Sequence, residues 1–244
     1  GSCKATLVSG DILDLWSAAP GKRFCRAQGE VLLCQTAAAN ANAPVFRLRS
    51  NFTVPVSPPC SEHEGVFRRI ARLTEDTSQF GVTLNGSMSY LPGQFVLVTF
   101  PSLNGARAYS MTSAPCGNRQ LSFLVRRLAG GGASNLLFSD VQGGLRVRVF
   151  GPLGRAVLDP AEDRPFIAVA GGSGIAGVLS IIEAAETAGL LVRKATRLFF
   201  GVRDIKSAYL LDELSAYVDQ ANGAFSVTIA LSEGTPDPRV IRDY

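Results

Sequence analysis

The pattern of apolar and polar positions divides the chain into zones with different rhythms. From Gly65 to about Asp159, short runs alternate with a period near two and are bounded by Gly, Pro and Asn: VFRRIARLT, FGVTLN, QFVLVTF, RAYSMT, LSFLVRRL and LRVRVFG. Six such runs, rich in β-branched and aromatic residues, predict a small antiparallel barrel or sandwich. From Arg164 the rhythm lengthens. FIAVA, RLFFGV and FSVTIAL read as buried strands, with IAGVLSIIEAAETAG and the stretch around Leu210–Gln220 as helices between them. That alternation predicts βαβ units on a parallel sheet. Three strands are few for such a domain, so the chain is expected to be cut short. Residues 1–39 alternate short apolar runs with turns, and the proline-rich stretch 40–62 reads as an extended linker.

One stretch imitates a membrane span: Pro165 to Ile182 runs 18 residues without a charge. Gly171, Gly172, Gly174 and Gly177 interrupt it where a spanning helix would be continuous, so a strand, a turn and a buried helix are expected instead. With 46% apolar and 18% charged residues the chain is neither a disordered tail nor a coiled coil. Its net charge of +4 lacks the clustered basic footprint of a nucleic-acid binder. The single histidine, His63, sits between Glu62 and Glu64 and reads as a solvated loop residue, which excludes chemistry needing several His ligands. Five cysteines at scattered spacings argue for a reducing compartment rather than a disulfide framework. Cys25, Cys60 and Cys116 fit no ligand spacing and read as structural.

Candidate chemistry gathers at a few places. Gly172-Ser173-Gly174-Ile175-Ala176-Gly177 lies between a strand and a helix, where glycines let the backbone approach a pyrophosphate at the helix N-terminus. The acid near the end of the next strand, Asp204, comes later than the ~20 residues an ordinary dinucleotide fold uses, which points to a variant domain. A hydrolase elbow around Ser173 fails: position 175 is Ile where Gly is needed, and no His follows. In the barrel zone, Arg107, Tyr109 and Ser110 combine a phosphate clamp, an aromatic cover and a hydroxyl. Their bland alternative is a strand with an exposed Arg and a core Tyr. Further on, Gly130–Gly132 open a helix with Ser134 in its first turn, a second phosphate site. Cys3 and Cys34 are spaced like the last two ligands of a plant-type 2Fe–2S site.

With these motifs in order, the chain resembles the ferredoxin–NADP reductase superfamily, and within it the reductase components of bacterial aromatic-ring oxygenases. PGQF at 92–95, RAYS at 107–110, VRRLAGGGAS at 125–134 and GPLG at 151–154 resemble the flavin half; GGSGIA at 171–176 and FFGVRD at 199–204 resemble the nicotinamide half. SCKATLVSGDI and EVLLCQT resemble the second half of a plant-type ferredoxin. The resemblance implies a multidomain protein: residues 1–39 the C-terminal part of a β-grasp ferredoxin domain, 40–62 a linker, 63–160 an antiparallel FAD-binding β-barrel, and 161–244 an incomplete α/β nicotinamide-binding domain. It implies that Arg107 binds the flavin pyrophosphate, Tyr109 packs on the isoalloxazine and Ser110 reaches N5. It likewise implies that Val125, Gly131, Gly132, Ala133 and Ser134 line the FAD site. Gly171, Gly172, Ser173, Gly174 and Ile175 would cradle NADH or NADPH, with Gly201, Arg203 and Asp204 near the adenosine ribose. Cys3 and Cys34 would be the third and fourth cluster ligands, the first two preceding residue 1, so the 2Fe–2S centre belongs to the intact protein. Gly177 stands where the family usually has Pro, and the family's Cys-Gly-Pro motif would follow Tyr244.

The implied activity is hydride transfer from NAD(P)H to FAD, then single electrons to the 2Fe–2S centre and an oxygenase component or its ferredoxin, in the bacterial cytoplasm, without membrane or nucleic acid. The alternatives are a related FAD reductase with another acceptor, monooxygenase or flavohaemoglobin-like, and a nucleotide-binding module without turnover.

Overall fold

The computed structural model describes residues 4–15, 17, 19–48, 58–114, 119–139, 144–158, 165–193 and 195–235. The chain divides into two compact units between Val56 and Ser57.

In the first unit, β1 (Lys4–Ser9) is the centre of a three-stranded antiparallel sheet with β3 (Glu30–Leu32) and β5 (Val45–Leu48), while β2 (Ile12–Asp14) pairs with β4 (Thr36–Ala38). Strand β5 lies inside the stretch that composition marked as linker: Val45–Leu48 carry their own pairing along Ala5–Ser9. The described core here is slight, Ala5, Ala19 and Leu32. Glu30 compensates by gathering donors. Its carboxylate takes the N–H groups of Arg26 and Ala27 at 2.8 and 3.0 Å and pairs with Lys4 Nζ at 3.0 Å. The Ala27 amide above all, then Lys4, against a smaller effect of burial, holds the Glu30 carboxyl down to about 2.

The second unit holds both remaining zones. Strands β6 (Ser61–Arg72), β7 (Thr77–Leu84), β8 (Phe95–Thr99), β9 (Ala106–Ser110), β10 (Gln120–Arg126) and β11 (Leu145–Leu153) form one antiparallel sheet in the order β10-β7-β6-β11-β8-β9. The six expected strands are all present. The expected barrel is a curled sheet closed only part of the way, because β9 ends at Ser110 and a single bridge, Met111 to Phe123, joins the outer strands. Period-two patterning drives the curl: Val147 and Val149 point inward while Arg146 and Arg148 point out. Inside, Phe67 stacks on Phe123 at 5.6 Å and meets Phe80 and Phe100 tilted. His63 departs from its loop reading. It belongs to β6 opposite Val149, with Nε2 2.8 Å from Ser61 Oγ, because the run of alternation begins before the glutamates that flank it.

The third zone forms a parallel sheet, β12 (Ile167–Gly171), β13 (Thr196–Val202) and β14 (Phe225–Leu231), with α2 (Ile175–Thr187) and α3 (Leu211–Gln220) as crossovers; a shorter helix, α1 (Gly132–Phe138), precedes β11. One face of the sheet buries Leu198 and Phe200 against Ile175, Leu179 and Ile182 of α2. The other leaves Ile167, Val169 and Phe199 exposed. No helix among the described residues is long and apolar enough to cross a membrane. Helix α2 also ties the two sheets together: Ser180 Oγ accepts from Gly93 N at 2.8 Å, and Glu183 accepts from Ala114 N.

Candidate active site

Two cavities open along this seam. The first, about 410 Å³, is floored by β9 and β10 and rimmed by the start of α1 and the glycine turn before α2. It gathers Arg107, Tyr109, Ser110, Val125, Gly131, Gly132, Ala133 and Ser134, all singled out by sequence for the flavin, together with Ser173 and Gly174, which were expected at the nicotinamide nucleotide, and with Leu124, Arg126, Leu128 and Ala176. Strand pairing sets the first three: Arg107, Tyr109 and Ser110 face Val98, Val96 and Phe95 of β8. Arg107 is exposed, its Nη1 resting 3.2 Å from the carbonyls of Asn104, Gly105 and Ala106. Tyr109 is half-buried, its ring 5.9 Å from both Phe67 and Phe123. Burial pushes its phenol up, against a smaller pull from Arg107. Ser110 lies across the seam from Gly177, where an added methyl would come 3.5 Å from its Cβ. Ser134 braces its own loop, accepting from Leu128 N at 3.0 Å.

The second cavity, about 470 Å³, lies at the C-terminal ends of β12, β13 and β14. Gly172, Gly201 and Arg203 line it, as expected, together with Ser207, Tyr209, Ser232 and Glu233. From the flavin-type sheet come Asp76, Thr77 and Arg126. Gly172 has φ +49, and a Cβ there or on Gly174 would meet nothing within 4 Å, so the turn leaves open space for a ligand. The turn is divided between the cavities: Gly172 faces the second, whereas Ser173 and Gly174 face the first. Gly171 lines neither. Ile175 is a fully buried core residue, because the helical stripe that starts there turns its side chain away from both cavities. Asp204 lines neither as well. It caps the turn after β13, accepting from Ser207 N and Oγ at 2.9 and 2.8 Å, and Ser207 chiefly holds its carboxyl low.

Asp76, Tyr209, Ser232 and Glu233 carry no local motif, and Arg126, although inside VRRLAGGGAS, has no role of its own in that motif. Ser232 and Glu233 could have been found from their place just after the third parallel strand, where such sheets take ligands. A roomier hollow, about 580 Å³, opens between Glu64, Leu84 and Arg146 and contains none of the residues singled out by sequence. Of the two expected cluster cysteines, Cys3 lies outside the described residues. Cys34 sits exposed on the turn Leu33–Gln35, and no group of three or more potential metal ligands occurs among the described residues. The described residues therefore do not make a cluster site.

A curled antiparallel sheet with an Arg-x-Tyr-Ser strand, set against a parallel sheet with a glycine turn, defines a flavin-dependent oxidoreductase using nicotinamide nucleotides. Residues 65–157 match the family described as oxidoreductase FAD-binding domain, and residues 168–242 the oxidoreductase NAD-binding domain. The chain is 32% identical over 243 residues to the ferredoxin–NAD(+) reductase component of the alkene monooxygenase system of Xanthobacter autotrophicus, spanning 98% of this chain and 71% of that protein. It is 28% identical over 249 residues to the reductase component of the naphthalene 1,2-dioxygenase/salicylate 5-hydroxylase systems of Ralstonia sp, covering 98% and 71%. Among solved structures, the Amycolatopsis cytochrome P450 reductase GcoB superposes with TM-score 0.83 at 26% identity, over 98% of this chain and 71% of that one. The chain belongs to the family of ferredoxin–NAD(P)(+) reductase components of oxygenase systems and is an NAD(P)H-dependent FAD oxidoreductase.

Proposed function

We propose that the chain takes hydride from NADH, or NADPH, onto FAD in the 410 Å³ cavity and passes electrons singly toward a 2Fe–2S centre, an aromatic-ring oxygenase or its ferredoxin. The observation that carries this reading is the convergence of β9, α1 and the glycine turn on one cavity, with the second cavity on the other side of the same turn. Bound flavin supplies the conversion between a two-electron hydride donor and one-electron acceptors. Around it, Arg107, exposed and held through Nη1 by the carbonyls of Asn104, Gly105 and Ala106, would turn the remaining edge of its guanidinium to the pyrophosphate, alongside Gly131, Gly132, Ala133 and Ser134. Tyr109, packed against two phenylalanine rings, would hold the flavin's ring system by aromatic contact, and Ser110 would offer it a hydroxyl donor. Gly172, Gly201 and Arg203 receive the nicotinamide nucleotide at the strand ends, with NADH preferred. Gly171, Ile175 and Asp204 act through the shape of the backbone around it.

In the same reading, residues 1–39 form the C-terminal part of a ferredoxin-like domain whose 2Fe–2S centre belongs to the intact protein only, where Cys3 and Cys34 would be two of its four ligands. With β5 added to that first unit, the chain continues into the flavin domain, up to 160, and the nicotinamide domain, 161–244, and the protein works in the bacterial cytoplasm. The test is the visible spectrum of the purified chain under anaerobic conditions, before and after NADH. A flavin spectrum that bleaches supports the reading. A flavin that stays oxidised reduces the chain to a nucleotide-binding module. A colourless chain that refuses added FAD overturns the assignment of Arg107 to Ser110.

A further inference from the structure

We infer that Asp76 is a positioning residue that couples the flavin sheet to the nucleotide cavity, its carboxylate aiming the guanidiniums of Arg126 and Arg203 at a nucleotide phosphate. The inference rests on the nicotinamide reading of the second cavity.

Asp76 is held from several sides. It lies in the turn between β6 and β7, where its backbone carbonyl accepts from Arg127 N at 2.6 Å. Its Oδ1 accepts from Thr74 Oγ1 at 3.1 Å and Thr77 Oγ1 at 3.0 Å. Those hydroxyls fix the carboxylate plane and leave Oδ2 facing the seam, where Arg126 Nε donates to it at 2.7 Å and Arg203 Nη2 stands 3.9 Å away, with Arg203 Nε at 3.9 Å from Asp204 on its other side. Arg126 comes from the flavin sheet and Arg203 from the end of β13 in the parallel sheet, so one oxygen is shared by cations from both halves.

Arg126 is bound through Nε, and among the described residues its terminal nitrogens have no hydrogen-bond partner. A guanidinium tied back in this way presents its other edge as a two-pronged donor, the geometry that suits a phosphate. Arg126 lines both cavities, which puts that edge between the flavin and the nucleotide. The Asp76–Arg126 pair is about one-third exposed, and a pair so exposed to water contributes little to stability, roughly 0–1 kcal/mol. Three side-chain donors on such a carboxylate are better explained by aim.

The cavity also lacks a polar partner that a ligand could supply. Tyr209 is only 6% exposed, lines the cavity, and its hydroxyl is buried with no hydrogen-bond partner among the described residues. Burial, and next to it the Asp76 carboxylate, push that phenol up, so it remains a neutral donor. Two cationic forks, an idle buried hydroxyl and an open glycine turn suit a dinucleotide's phosphates and ribose.

The test uses the flavin-loaded chain carrying Asp76→Asn, which keeps the shape and removes the charge. NAD⁺ is titrated by calorimetry, so no turnover is involved. We expect Kd for NAD⁺ to rise about tenfold, the worth of one well-aimed charge-assisted hydrogen bond, with flavin content unchanged. The KM for NADH should rise in step while kcat holds. Thr74→Ala, which loosens the carboxylate without removing it, should give a smaller rise in the same direction and covers the case of a misfolded Asp76→Asn. In a cycle with Arg203→Gln, the two losses should be less than additive. Equal or tighter NAD⁺ binding by a folded Asp76→Asn or by Thr74→Ala overturns the inference and leaves the nicotinamide reading standing. A natural chain that binds flavin but no NAD⁺ overturns that reading and the inference together.

Discussion

Gly93 and Gly177 face each other across the seam between the flavin sheet and α2, and the same substitution at the two should act in opposite directions. Gly93 has φ +93, and a Cβ there would lie 2.1 Å from the carbonyl oxygen of Ala156 and 2.9 Å from Ile181 Cδ1. The left-handed backbone alone costs an L-residue ~1–2 kcal/mol. The carbonyl must also retreat by more than an ångström to reach ordinary contact, an overpacking cost of ~1–3 kcal/mol. That retreat pulls on the bond from Gly93 N to Ser180. At Gly177 the added methyl would stand 3.5 Å from Ser110 Cβ and 3.6 Å from Gly93 O, ordinary contact with nothing to displace. There the only change is to helix propensity and unfolded-chain entropy, a gain of ~0.5–1 kcal/mol. Gly93→Ala should therefore destabilise by at least ~2 kcal/mol while Gly177→Ala stabilises. Urea unfolding of each variant, followed by circular dichroism, reads the difference directly. Two variants within ~1 kcal/mol of each other would refute the reasoning, since only the surroundings of the new methyl distinguish them.

Other substitutions separate holding a ligand from holding the fold. Tyr209→Phe deletes a buried hydroxyl that has no partner, so the ligand-free melting temperature should hold or rise slightly, while the rise produced by NAD⁺ shrinks. Arg107→Ala removes an exposed side chain resting on backbone carbonyls; stability should change by less than ~0.5 kcal/mol, whereas flavin affinity falls at least tenfold by fluorescence titration. The first unit should weaken in acid. The Glu30 carboxyl titrates near 2 in the fold against 4.5 ordinarily, so its contribution is complete above about 4.5 and is lost as pH falls toward 2. Amide exchange in β1 and β3 reads that loss, and Glu30→Gln should remove the pH dependence across that window.

How much of this was legible in the chain differs by the range of the interaction. Strands whose alternation is local were readable almost to the residue: FSVTIAL is β14, Phe225–Leu231. The helical stripe from Ile175 was equally plain, and the same stripe explains why the Ile175 side chain is core and lines neither cavity. Val45–Leu48 were hidden among prolines because their pairing partner lies in β1. His63 was hidden because charged neighbours resemble a loop when a strand's outer face is solvated. RAYS and the 131–134 turn line one cavity, while the 171–176 turn, expected at the nicotinamide alone, is divided between two. Asp76 and Tyr209 could not be seen in advance, and Arg126 was seen only as part of VRRLAGGGAS: the place of each depends on a seam formed by segments far apart in sequence.

The glycine turn before α2 is a party wall, with Gly172 on one side and Ser173 and Gly174 on the other. A substitution there is pleiotropic by construction. On the proposed reading, a change of coenzyme preference made in this turn would also alter the grip on the prosthetic group behind it, whereas Ser232 and Glu233 border the second cavity alone.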